Sequence, residues 1–144
     1  MVREAVARDL DALLELYLYL HEDSIPEHDD LLQRTWERMM SDENYHIIVL
    51  ETGGKIVSSC TCVIIPNITR NVRPFALVEY VVTHEDYRGM GYATKCLDFA
   101  RTIAEKENCY KIMLMTGSQK AETLGFYKNA GYSSADKTAF VQWL

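Results

Sequence analysis

The stretch Leu77 to Leu97, LVEYVVTHEDYRGMGYATKCL, brings a carboxylate, a cation and two glycines into one strand, turn and helix start. The chemistry on offer is anion capture beside a proton acceptor. A helix N-terminus leaves unpaired N–H groups and carries partial positive charge, and glycine lets that backbone approach an anion closely. Arg88 adds a permanent cation, and Thr94 and Lys95 place a hydroxyl and an ammonium in the first helical turn. Upstream, Glu79 sits in the apolar run Leu-Val-Glu-Tyr-Val-Val. Desolvation there raises a carboxyl pKa and suits it to accept a proton near neutral pH. The strand also allows Glu79 to point to solvent or to pair with an arginine such as Arg73.

Spacing separates three phosphate-binding readings of the turn. A P-loop needs Gly-Lys-Ser/Thr after four intervening residues, and no Lys follows the glycines in that way. A dinucleotide fingerprint needs a third glycine, whereas positions 93 and 94 are Ala and Thr. What remains is Arg-x-x-Gly-x-Ala, present as Arg88, Gly91 and Ala93 after an apolar strand, a pattern that a plain glycine turn also satisfies. A second segment, Gly125-Phe126-Tyr127-Lys128-Asn129-Ala130-Gly131-Tyr132, lies downstream.

Together the two segments resemble the GNAT N-acetyltransferase superfamily, where the first is the acyl-CoA pyrophosphate loop. The second recurs there as Phe/Leu-Tyr followed by Gly-Phe/Tyr. The resemblance implies acetyl-CoA as cosubstrate, with its pantetheine arm on backbone groups of Val81, Val82 and Thr83. It implies a pyrophosphate site at Arg88, Gly89, Met90, Gly91, Tyr92, Ala93 and Thr94, with Lys128 adding a cation. Glu79 is then the general base, directly or through water, and Tyr127 the acid that protonates the departing thiolate. A phenol with a pKa near ~10 matches an alkyl thiolate. Plain packing is the other reading of Tyr127, as is plain core for the two valines. One departure is Lys120, which stands where many relatives carry a pantetheine-contacting Asn. The implied reaction is direct attack of a primary amine on acetyl-CoA in a ternary complex. A CoA-binding sensor with little turnover is the alternative.

These residues need elements to position them. Val2 to Val6 reads as a short strand, and Asp9 as the N-cap of a helix with Leu10, Leu13, Leu14, Tyr17 and Leu18 on one face. Asp29 or Asp30 caps a second helix bearing Leu31, Leu32, Trp36, Met39 and Met40. Tyr45–Glu51 and Lys55–Ile65 form a hairpin around Thr52-Gly53-Gly54. Phe75–Thr83 and Cys109–Met115 are strands joined by a crossover helix from Gly91, hence parallel. Ser118 caps a short helix ending before Gly131, and Tyr132 to Leu144 is expected to supply one or two closing strands. The fold class expected is α/β (α+β), a mixed, mostly antiparallel sheet flanked by helices in the order β-α-α-β-β-β-α-β-α-β, which is also the GNAT order.

The 144 residues fit one domain, 1–144. The start of the chain carries acids among its leucines and lacks a long apolar run, so the sequence points to a cytoplasmic protein without a membrane anchor. Net charge is −6, which argues against nucleic acid as partner and is compatible with a small-molecule amine. Cys60, Cys62, Cys96 and Cys109 read as reduced core residues, and Cys60-x-Cys62, which could be half of a metal site, has no second Cys or His pair at ligand spacing, so no metal is expected. For the acceptor pocket the resemblance points to Tyr17, His21, Glu22, His28, Arg70 and Arg73. The two arginines favour a phosphate or carboxylate on the acceptor, the former in keeping with a partial similarity of Leu77–Gly91 to glucosamine-phosphate N-acetyltransferases, whereas the acids favour a cationic acceptor. The apolar segment Thr138–Leu144 makes a homodimer a further expectation.

Overall fold

Five segments, all but the first mostly apolar, pair into one sheet in the order β1-β2-β3-β4-β5 in the computed structural model, which describes residues 1–144. They are β1 (Val2–Glu4), β2 (Tyr45–Thr52), β3 (Lys55–Ile65), β4 (Phe75–Thr83) and β5 (Ile112–Leu114). β2 and β3 join through Gly53 and Gly54, whose φ of 56° and 75° permit the tight turn that pairs Thr52 with Lys55. The first three strand pairs are antiparallel, and β4 pairs with β5 in parallel, as the crossover helix requires.

Two helical layers cover the sheet. Helix α4 (Tyr92–Lys106) lays Cys96, Leu97, Ala100, Ile103 and Ala104 against Cys60, Cys62, Ala76 and Val78, which form the larger core. Helices α1 (Leu10–Tyr17) and α2 (Asp30–Ser41) cover the opposite face, with Leu13 and Trp36 over Ile47 and Val49. Burying a Leu or Val side chain contributes about 1.5–3 kcal/mol, so these faces fix which way each strand presents its residues. Ala76 and Val78 of β4 face α4, and strand alternation therefore turns Leu77 and Glu79 toward α1.

Several expectations need correction. Asp9 precedes α1, yet its carboxylate makes no cap to that helix. It accepts instead from the Val6 N–H (2.8 Å) and from Arg3 (2.6 and 3.1 Å), because a nearby guanidinium outcompetes a weak backbone donor. On α1, Leu16 is buried and Leu18 is exposed, since the helix tightens to a 3-10 turn at Leu18–Leu20. Asp29 does cap α2, accepting from the Leu32 N–H at 2.9 Å. The last helix, α5 (Ala121–Asn129), starts at Lys120, and Ser118 bonds to Thr123 and to the Lys120 N–H instead of capping it. Between β3 and β4 a single turn, α3 (Thr69–Val72), is left-handed at Arg70, Asn71 and Val72.

The largest difference lies at the end of the chain. Residues from Tyr132 to Leu144 form no strand, so the final β of the expected order is missing and β5 is the open edge of the sheet. β5 itself is shorter than the Cys109–Met115 expected, with one neighbour and no second one to extend it. No helix is long and apolar enough to cross a membrane. All four cysteines are free, three of them buried.

Candidate active site

β4 and β5 part company early. Their pairing covers only Ala76–Ile112, Leu77–Met113 and Val78–Leu114, while β4 runs on to Thr83. From Glu79 to Thr83 the outer edge of β4 therefore has no strand partner. An extended amide-bearing chain can complete such an edge by backbone hydrogen bonding. The same stretch contains a bulge, because Ser59 pairs with Val82 and Thr61 with Glu79, leaving Tyr80 and Val81 opposite Cys60 alone. Tyr80 holds it with φ 55°, a left-handed conformation that costs a residue with a Cβ about 1–2 kcal/mol.

The free edge leads to the glycine turn. Gly89 (φ 75°) and Gly91 (φ 74°) are both left-handed, and Gly91 is the N-cap of α4. A Cβ at either position meets nothing within 4 Å, so backbone conformation, and not crowding, asks for glycine. No backbone N–H from Gly89 through Thr94 donates to a backbone carbonyl, and Lys95 N–H to Gly91 O (3.1 Å) is the first such bond of the helix. A row of free donors at the positive end of a fifteen-residue helix is a site for an anion of phosphate type. Arg88 does not swing free at its mouth. Its Nε donates to the Thr83 carbonyl (3.2 Å), and its guanidinium lies 5.8 Å from the Tyr19 ring. Ser58 fixes the same strand end, donating to the Val82 carbonyl (3.0 Å) and bonding the Thr83 hydroxyl (2.8 Å). Lys95 Nζ rests 5.4 Å from the Tyr92 ring.

Glu79 stands where β4 leaves β5. It is half-buried and makes no ion pair with any residue, and burial pushes its carboxyl above the ordinary carboxylate range. Arg73, the suggested partner, is committed elsewhere, donating to the carbonyls of Asn108 (3.1 Å) and Cys109 (2.9 Å). Tyrosines surround the acid instead. Tyr17 of α1 and Tyr80 lie 6.3 Å apart, and burial pushes the Tyr17 hydroxyl up to about 12. Tyr45 is raised as well, by burial first and then by the charges of Tyr80 and Glu79. A positively charged group between such rings gains a cation–π attraction of roughly 0.5–2 kcal/mol.

Tyr127 approaches from α5. Its ring contacts Phe126 (4.9 Å) and Tyr132 (6.4 Å, edge-on) and packs against the larger core. Burial raises its pKa, with smaller contributions from Cys60 and Glu79, so the phenol holds its proton throughout the neutral range. The Tyr132 N–H donates to the Tyr127 carbonyl (3.0 Å), and Gly131 (φ 96°) makes the bend. Lys128 is exposed one residue further along α5.

Other expected acceptor residues do not gather here. His28 pairs with Asp11 (3.5 Å) on the surface, His21 and Glu22 are exposed, and Arg70 lies over the Tyr110 ring at 5.6 Å. Sequence reasoning had placed Tyr17 but missed Tyr45, Tyr80 and the His84 junction. His84 Nδ1 accepts from the Asp86 N–H (3.2 Å), which leaves Nε2 to donate to the Tyr19 hydroxyl (3.2 Å). The available signal was a histidine at the cap of a 3-10 turn, Glu85–Tyr87, and a cap acceptor of that kind has no strong sequence signature. An open cavity of about 700 Å³ lies beside this junction, lined by Arg8, Glu15, Tyr19, Lys55, His84 and Asp86 among others. Neither Glu79, Tyr127 nor the free amides line it.

Comparison with known proteins bears on the family and the fold. The chain matches the Acetyltransferase (GNAT) family over residues 10–132. It is 33% identical to a solved structure of a candidate acetyltransferase from Agrobacterium tumefaciens str. C58, with a TM-score of 0.91 over 99% of both chains. It is 27% identical over 150 residues to an uncharacterized N-acetyltransferase of Methanocaldococcus jannaschii, covering 99% of this chain and 64% of that protein. It is 30% identical over 84 residues to glucosamine 6-phosphate N-acetyltransferase of Trypanosoma brucei brucei, covering 58% of this chain and 55% of that one. The chain thus spans under two thirds of the length of these two curated relatives.

Proposed function

The chain belongs to the GNAT acetyltransferase family, and from that premise we propose that it moves the acetyl group of acetyl-CoA to the primary amine of a small molecule. The observation that carries this reading is the parting of β4 from β5 after Val78, with Glu79 at the fork and the free amides of Gly89–Thr94 beyond it. The pantetheine arm pairs along the open edge at Val81, Val82 and Thr83, and the pyrophosphate sits on the turn from Arg88 to Thr94. Lys128 adds a cation at the surface.

The chemistry follows from charge. The acceptor arrives as an ammonium between the tyrosines, and Glu79 takes its proton, directly or through water. The freed nitrogen attacks the thioester carbonyl carbon, the C–S bond breaks, the thiolate takes the proton of Tyr127, and the nitrogen loses its second proton to bulk solvent as the amide forms. Bulk solvent restores both groups. Preorganised backbone N–H groups suit the oxygen that gains charge in this step.

The acceptor class we assign is an amine that does not depend on a phosphate. Arg70 and Arg73, the cations that favoured a phosphorylated acceptor, serve Tyr110 and the Asn108 and Cys109 carbonyls. A thiol-release assay with acetyl-CoA and a panel of tyramine, spermidine, glucosamine and glucosamine 6-phosphate tests both parts. Turnover with the unphosphorylated amines is expected. A marked preference for glucosamine 6-phosphate over glucosamine defeats the acceptor class, and tight CoA binding without turnover on any amine defeats the enzyme.

A further inference from the structure

We propose that His84 and Tyr19 are positioning residues that hold the glycine turn ready for the pyrophosphate of CoA, a step that rests on the assignment of that group to the turn from Arg88 to Thr94. Both residues line the open cavity of about 700 Å³, which neither Glu79 nor Tyr127 lines. Their effect therefore passes through Arg88 and the turn, not through contact with the reacting atoms.

The turn cannot fix itself. The Arg88 N–H donates to the Glu85 carbonyl (3.3 Å), and the next backbone donor used is that of Lys95. Residues that keep their N–H groups free for an anion also give up the bonds that would hold them in place. A loop ordered only on binding subtracts its lost freedom from the affinity. The order of Gly89 to Thr94 must come from the flanks.

His84 supplies the near flank in three ways. Its N–H donates to the Val57 carbonyl (2.9 Å), which ties it to β3. Its Nδ1 accepts from the Asp86 N–H (3.2 Å) and so caps the 3-10 turn Glu85–Tyr87 that delivers Arg88. With Nδ1 as acceptor, Nε2 of the neutral ring donates to the Tyr19 hydroxyl (3.2 Å). Tyr19 stands in the 3-10 turn Leu18–Leu20 after α1, and its ring lies 5.8 Å from the Arg88 guanidinium, whose Nε is held by the Thr83 carbonyl. Two restraints on one planar cation set its orientation. Across the turn, the Tyr87 ring packs edge-on against His84 (5.5 Å) and stacks with Tyr92 (6.4 Å), the first residue of α4. One imidazole thus joins the strand end, the segment after α1 and the helix start on both sides of Gly89 and Gly91. A cap alone accounts for the bond to Asp86 but not for the bond to Tyr19.

Calorimetric titration of the full chain with CoA, and with pantetheine as a competitor of CoA, tests this. Pantetheine lacks the pyrophosphate and reports the groove without the turn. His84→Ala removes two side-chain hydrogen bonds and should raise the CoA dissociation constant about tenfold while leaving that of pantetheine unchanged. His84→Asn keeps an acceptor near the Nδ1 position without reaching Tyr19, and should recover only part of the loss. Tyr19→Phe keeps the ring beside Arg88 without its hydroxyl and should cost about threefold. Thermal unfolding of the ligand-free variants separates affinity from stability, and if His84→Ala does not fold, His84→Asn and Tyr19→Phe carry the same comparison. Equal losses for CoA and pantetheine overturn the proposal. Complete rescue by Asn together with wild-type affinity in Tyr19→Phe overturns it too, because His84 is then only a cap. A wild-type chain that does not bind CoA removes the acetyl-transfer reading and this proposal together, whereas a wild-type chain that binds CoA no better than the variants overturns this proposal alone.

Discussion

At the scale of single residues, the proposed division of proton work between Glu79 and Tyr127 rests on surroundings that treat them differently. Both groups have pKa values raised by burial, but a raised carboxyl approaches neutral pH and a raised phenol recedes from it. The first becomes a base near physiological pH and the second stays an acid. Since Glu79 must be deprotonated to act, kcat/KM should fall as pH drops through a pKa above the ordinary carboxylate value. Glu79→Gln should remove that acidic limb and lower kcat by about 10²–10⁴-fold, measured by thiol release across the pH range. Retention of the limb in the variant assigns the base to another group. Tyr127→Phe keeps the packing against Phe126 and Tyr132 and loses only the hydroxyl. Its kcat should fall by at least ~10²-fold with little change in CoA dissociation constant by calorimetry. A large loss of CoA affinity with unchanged kcat would make Tyr127 a binding residue.

Among the secondary elements, the bulge in β4 does what no single residue can. Without it, strand alternation would continue through Val81 and Val82, and every side chain beyond Glu79 would change face. The bulge inserts Tyr80, turns it out beside Tyr17 and leaves the strand end beside the glycine turn. Tyr80→Gly relieves the left-handed backbone, so thermal stability should hold or rise by about 1 kcal/mol, while the KM for an amine acceptor should increase. Chemical denaturation together with acceptor kinetics separates the two effects, and unchanged acceptor KM removes Tyr80 from the pocket. At the start of the sheet, Arg3 ties Asp9 to Glu51 across β1 and β2. The Asp9 carboxyl is held below its usual 3.8 by Arg3 first and by the Val6 N–H. A depressed folded-state pKa contributes stability above the unfolded value that is lost as pH falls through the folded one. Asp9→Asn should therefore cost about 2 kcal/mol at pH 7, with the difference shrinking below pH 3.8. Equal losses at pH 7 and at pH 3 would mean that the charge plays no part.

For the whole molecule, the proposed cofactor groove is an interface between parts that fold from distant stretches of chain: β4, the turn after it, and α5. A ligand that bridges them stabilises all three. At a concentration 100 times its dissociation constant, CoA should add about 2.7 kcal/mol, which for a chain of this size raises Tm by roughly 5–10 °C. NAD, which the missing third glycine excludes, should leave Tm unchanged, and equal shifts with both would undo the pyrophosphate assignment.

Local chemistry made much of this legible in advance. Gly89 and Gly91 announce left-handed backbone, the apolar runs announce strands, and the spacing after Gly91 announces the crossover helix, because these signals depend on residues close in sequence. The family and the mixed sheet followed from them. The end of β4–β5 pairing at Val78, the bulge at Tyr80, the diversion of Arg70, Arg73 and Asp9 to other partners, and the unpaired tail were settled only by the folded chain. Each depends on which partner wins when several are within reach, and a guanidinium, a carbonyl or a sheet edge meets its competitors only after distant segments have packed together.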